Sequence, residues 1–147
     1  MCNMKIRRFC LFAIVLITLQ GCNYAPSNYD EQNTNETVIS SNEIQEAVNY
    51  LNSASPFMVN EEVRFDGIFA IDVKTIIIKE TLINFEKEFL DLVGFEELMK
   101  PELITDIKSN SEFKVFIDNR TTIKYQYSDK NGVFIVQIII TPDDYAY

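Results

Sequence analysis

Apolar and polar positions change period several times along the chain, and each change marks an element. Ile44, Ala47, Val48 and Leu51 follow i, i+3, i+4, i+7, the single apolar stripe of a helix. Ser40-x-x-Glu43 just ahead of them has the form of a capping box, so a first helix is predicted over about Asn42 to Ser53. Ser53 to Asn60, with Pro56, reads as a connection. From Glu61 to Phe69 the period falls to two: Val63, Phe65 and Gly67 face one way, Arg64 and Asp66 the other. Ala70 to Lys74 can turn, and the β-branched run Thr75 to Ile83 is predicted as a second strand, antiparallel to the first.

The middle of the chain returns to helical spacing. Phe85, Phe89, Leu92 and Val93 define a helix with Asn84 as cap and Gly94 as stop. Pro101 suits the first turn of another, carrying Leu103, Ile104 and Ile107. Ser111 to Ile117 fits a short helix better than a strand. Thr121 to Ser128 then alternates strictly, with Ile123, Tyr125 and Tyr127 on one face. Asp129-Lys130-Asn131-Gly132 is a turn whose Asn-Gly pair tolerates positive φ. Val133 to Thr141 is nearly continuously apolar, the mark of a central, covered strand, and Pro142 stops it. The predicted class is α+β: a small antiparallel sheet of about four strands in two hairpins, with helices packed on one face.

Ahead of the domain the pattern is different in kind. Lys5, Arg7 and Arg8 precede an apolar run from Phe9 to Leu19, broken only by Thr18. Eleven helical residues at about 1.5 Å each span roughly half of a bilayer core of about 30 Å, so the run suits a signal-peptide core better than a membrane span. Leu19-Gln20-Gly21-Cys22 follows and resembles the bacterial lipobox. The resemblance implies removal of residues 1–21 and lipid on Cys22, because only a thiolate is nucleophilic enough at neutral pH to take the diacylglycerol. It also implies a cell-envelope address. Asn23, rather than Asp, favours the periplasmic face of an outer membrane where one exists. Residues 22–41, rich in Asn, Ser, Thr and acids, read as a flexible polar tether to a single domain over 42–147.

Composition then limits the chemistry. The 147 residues carry a formal net charge of −9, and loss of the leader with its three cations leaves 10 basic residues against 22 acidic ones, a net −12. Such a surface argues against nucleic acid and against electrostatic adhesion to anionic lipid, and is compatible with a basic protein partner. Cys2 and Cys10 would leave with the leader, and the chain has no His and no Trp. Ser-His-Asp and Cys-His catalysis and His- or Cys-liganded zinc are therefore excluded, and no cofactor or metal is expected.

Three groups remain as candidates. Glu62, Arg64 and Asp66 share a strand face and could form an anion- or peptide-recognition row around the guanidinium, against the plainer reading of a solvated ion-pair ladder. Tyr125 and Tyr127 could line a groove, although a core position with phenol tips at the rim is the simpler reading. The tail Asp143 to Tyr147 could dock on a partner, but chain ends of this kind usually fray.

The spaced features Leu51-Asn52, Pro56, Val59-x-x-Glu62-x-Arg64-x-Asp66 and Thr122-x-x-Tyr125-x-Tyr127-x-Asp129-x-x-Gly132 are similar to a diffuse group of small exported bacterial proteins without an assigned role. The resemblance implies the α+β class and no activity. The expected function is a non-catalytic, lipid-anchored binding protein: a secretion or surface-assembly accessory, or an immunity or exclusion factor. The alternative is a small carboxylate-based hydrolase acting on envelope glycan or peptidoglycan, which needs two acids across a cleft.

Overall fold

The computed structural model describes residues 35–146, with side chains from Asn42 onward. The leader, Cys22 and the first part of the tether lie outside the described residues. Helix α1 (Asn35–Asn52) leads to a two-residue strand β1 (Phe57–Met58) and a long hairpin, β2 (Val63–Asp72) and β3 (Thr75–Leu82). A 3-10 turn at Lys87–Phe89, helix α2 (Leu92–Ser109), a second 3-10 turn at Ser111–Phe113 and short helix α3 (Lys114–Asp118) follow. A second hairpin, β4 (Thr122–Asp129) and β5 (Phe134–Ile140), and helix α4 (Pro142–Tyr145) complete it.

The class is the expected one, but the sheet has five strands among the described residues, in the order β1-β2-β3-β4-β5. β1 lies inside the segment predicted as a connection, too short to show a period. The sheet is also mixed. β3 and β4 run parallel, pairing Ile76 with Ile123 and Ile78 with Tyr125. The cause is the helical middle, which carries the chain from the Leu82 end of β3 back to its Thr75 end, where Thr122 N–H bonds Lys74 C=O at 2.7 Å.

β5 is an edge strand, not the central one. Its apolar run reflects one covered face, with Ile138 and Ile140 fully buried, and one open face, with Ile139 exposed. The centre belongs to β3, which buries Ile76, Ile78 and Leu82. Helices α1 and α2 cover the face formed by these residues with Val63, Phe65, Ile123, Tyr125 and Tyr127. α2 contributes Phe95, Met99, Leu103 and Ile107, a strict i, i+4 stripe.

The first of the two helices predicted for the middle does not form: Phe85 to Asp91 hold only the 3-10 turn, with Phe89 and Val93 exposed, and α2 starts at Leu92 and runs through Pro101 into the second. Gly94 does not end a helix but sits in the first turn of this one, where the Asp91 carboxylate caps its N–H at 3.2 Å. A Cβ there would lie 2.7 Å from that carboxylate, so the small residue makes room for the cap. Pro101 lies inside the helix, where its missing N–H leaves the ladder one bond short. α1 likewise begins seven residues before the predicted start at Asn42, inside the segment read as tether. Residues 35–41 lack the apolar repeat on which that prediction relied, and helix extension from an existing nucleus needs no such repeat.

Candidate functional site

The two faces of the sheet differ in coverage and in charge. On the face away from the helices, the strand registers bring Phe69, Ile77, Lys124 and Ile139 into one row, and Arg64, Thr81, Ser128 and Phe134 into another. Between them run Gly67, Lys79, Gln126 and Gln137.

Arg64 and Asp66 meet on this face as the spacing suggests. Arg64 Nε lies 2.5 Å from Asp66 Oδ1, Thr81 Oγ1 donates to Asp66 Oδ2 at 2.5 Å, and Arg64 Nη2 reaches Thr81 Oγ1 at 3.4 Å. The triangle is partly solvated, which limits the ion pair to about 0–1 kcal/mol. It also commits the guanidinium edge that an incoming anion would use. Glu62 stands just before β2 and contributes through its backbone: its N–H bonds Asn60 Oδ1 at 2.8 Å and its C=O accepts from Ile83. The three residues thus become a pair plus Thr81, a partner from β3 that no spacing within β2 could name.

Tyr125 and Tyr127 lie on the other side of the sheet, buried beneath the helices. Their rings stack on each other, centroids 6.5 Å apart, and Phe95 of α2 meets Tyr127 edge-on at 5.2 Å. The sheet separates them from Arg64 and Asp66, so the candidates do not form one site. Glu80 shares this buried face, in a row with Phe65 and Tyr127. Sequence reasoning missed it, because one acid inside a β-branched strand carries no signal of which face it occupies.

The second hairpin is organised around Asp129, which is almost fully buried. Its carboxylate accepts from the N–H groups of Asn131 (2.8 Å), Val133 (2.9 Å) and Lys87 (3.2 Å). Burial pushes this carboxyl up, but those donors and the Lys130 charge more than offset it and hold it below the ordinary 3.8. In the turn, Gly132 takes φ +80, whereas Asn131 keeps a negative φ, so only the glycine of the pair is needed for its conformation. The tail is not frayed as far as Ala146. Thr141 and Asp144 cap α4 reciprocally, and the buried Tyr145 donates to Thr121 C=O at 2.7 Å. The Asp144 carboxyl is held low, first by the Thr141 N–H, against the cost of burial.

The surface cations are unevenly placed, Lys124 among them being half-buried. Arg64, Lys79 and Lys124 stand on the bare face and Lys74 at the β2–β3 turn, against Asp66 and Asp72. On the helical side α2 alone carries Glu96, Glu97, Glu102 and Asp106 against Lys100 and Lys108. A shallow groove between α1 and α3 is lined by Glu43, Glu112, Asp118 and Lys114. Among the described residues no helix is long and apolar enough to cross a membrane, and no cluster of His, Cys, Asp or Glu could hold a metal ion.

No protein-family model matches the chain, and no curated protein matches it in sequence. Solved structures share its fold. A Pseudomonas aeruginosa protein assigned as secreted superposes with a TM-score of 0.61 at 10% identity, over 77% of this chain and 98% of its own. The pilotin EpsS of the Vibrio vulnificus type 2 secretion system gives 0.54 at 13% identity, over 76% and 92%. The type II secretion pilotin AspS of Vibrio cholerae gives 0.52 at 11% identity, over 73% and 96%. At such identities the likeness is one of fold alone, and two of the proteins that share it are type II secretion pilotins.

Proposed function

We propose that this chain is a lipid-anchored accessory protein of a cell-envelope secretion assembly, acting by binding and not by catalysis. The observation that carries the reading is the fold, which spans nearly the whole length of two type II secretion pilotins. The lipobox-like Leu19-Gln20-Gly21-Cys22 supports it independently, by pointing to the same compartment. Within the broader expectation of an envelope binding protein, the fold favours the secretion accessory over an immunity or exclusion factor. The hydrolase alternative calls for two acids across a cleft, and Asp129 and Asp144 are spent instead on hydrogen bonds that serve the turn and the cap.

Two experiments test the two halves. Affinity capture from detergent-solubilised envelopes, with the natural N-terminus intact, is expected to recover a secretion-assembly subunit in stoichiometric amount. Recovery of no stoichiometric partner counts against the role. Palmitate labelling in cells is expected for the wild type and lost in Cys22→Ser; equal labelling refutes the anchor at Cys22.

A further inference from the structure

A net charge of −9 suggests a molecule that anionic surfaces repel, but the fold does not spread that charge evenly. The acids gather on the helices and loops, while the bare sheet face and its hairpin tip carry more cations than acids. At the β2–β3 end of this face, Phe69, Ile71 and Val73 are each about half exposed, at 45%, 55% and 45%. Three lysines stand at this end of the sheet, against the single carboxylate of Asp72. Lys74 sits in the turn and donates to Asn119 C=O at 2.8 Å, Lys79 lies over the Phe69 ring at 4.9 Å, and Lys124 stands in the same row as Phe69.

We propose that this end of the sheet face is a lipid-contact surface, where Phe69, Ile71 and Val73 enter the headgroup boundary of an anionic phospholipid bilayer and Lys74, Lys79 and Lys124 meet its phosphates. Long lysine stems around an apolar centre match an interface that is apolar below and anionic above. Charge also orients the molecule, since the acidic helical side is repelled by the surface that attracts the sheet. The geometry of attachment allows it. Thirteen residues lead from Cys22 to the start of α1, a reach of at most about 45 Å at 3.3–3.6 Å per residue. The average surface is therefore repelled by anionic lipid, and this face is not. The inference rests on the proposed envelope address, and its reach estimate on the proposed anchor at Cys22, while the contact itself does not require acylation.

The test uses the chain from residue 22 with Cys22 replaced by Ser, so that lipidation plays no part, and an N-terminal hexahistidine tag holds it on vesicles that carry a nickel-chelating lipid. A polarity-sensitive fluorophore is placed on Val73→Cys or, on the acidic side, on the exposed Leu98→Cys. In phosphatidylcholine vesicles containing phosphatidylglycerol and a spin-labelled lipid, severalfold stronger quenching is expected at position 73 than at 98. That difference should collapse in pure phosphatidylcholine and in Lys74→Glu/Lys79→Glu, with far-UV circular dichroism unchanged. Equal quenching at the two positions, or quenching at 73 that ignores both headgroup charge and lysine reversal, overturns the proposal. Absence of quenching at 73 in phosphatidylglycerol vesicles also overturns it and leaves the face to an acidic protein segment.

Discussion

The two hairpins contain similar residue types and face each other across the parallel β3–β4 seam, yet they are finished in opposite ways. β4–β5 closes on a carboxylate that takes three backbone N–H groups, one from the distant Lys87, and its far end is tied down by Tyr145. β2–β3 carries two register irregularities, and its tip leaves Ile71 and Val73 in the open. In β4–β5 the Asp129 carboxylate ties the turn to a distant segment, whereas in β2–β3 the Asp72 carboxylate takes only the local Lys74 N–H at 2.8 Å. Both hairpin ends leave apolar side chains open, Val133 and Phe134 on β4–β5 and Phe69, Ile71 and Val73 on β2–β3, but only the β2–β3 group stands beside Lys74, Lys79 and Lys124 on the bare face. Both hairpins line the core, so the difference lies in their turn carboxylates: one is tied to a remote segment and the other only to its own turn.

The largest effect should come from the covered side of the stapled hairpin. Ile138→Ala removes a fully buried side chain under α2 and should cost about 2–5 kcal/mol in chemical denaturation. Asp129→Asn should lower the melting temperature less than that, with a distinctive pH signature. A carboxyl whose folded pKa is depressed contributes stability that is present above its unfolded value and lost as pH falls through the folded one. Wild type should therefore lose stability below about pH 3.8, and the Asn variant should show a shallower decline in the same range. Parallel slopes would mean that the staple is not Asp129. Tyr145→Phe leaves the Thr121 carbonyl without its hydroxyl donor and should cost about 1–3 kcal/mol, read by the same denaturation curves.

The two hairpins were also unequally legible in the sequence. Strict alternation from Thr122 to Ser128 and the Asp-Lys-Asn-Gly turn announced β4–β5, because a half-buried strand prints its period and a tight turn demands its glycine. The order of strands was not legible. An apolar run such as Val133 to Thr141 looks the same at a centre covered on both faces and at an edge where Ile139 remains open. Parallel pairing of β3 with β4 depends on where thirty-odd intervening residues deliver the chain, which no local pattern records. The capping role of Asp91 was hidden because Gly94, the usual sign of a helix end, serves a helix start here. Of the candidate site, the Arg64–Asp66 contact follows from strand period alone, whereas Thr81 enters it only through register with β3. The charge of the bare face was invisible for the same reason: Lys79 and Lys124 are 45 residues apart and become neighbours in the sheet only after β3 and β4 pair.

The smallest expected effect is the one that sharpens the comparison most. Ile71→Ser and Val73→Ser replace exposed apolar side chains at the β2–β3 tip, so each should change stability by no more than about 0.5 kcal/mol. If these side chains served the fold, their loss would approach that of a half-buried isoleucine and the two hairpins would differ in degree only. Near-zero values, measured beside Ile138→Ala under the same conditions, would show that the tip contributes almost nothing to the domain that carries it. The apolar residues there would then have to be explained by what they meet outside the chain. A double variant that keeps its melting temperature and no longer brings a fluorophore at the β2–β3 tip within quenching range of phosphatidylglycerol vesicles would locate that contact at the tip, while loss of both properties would return Ile71 and Val73 to the fold.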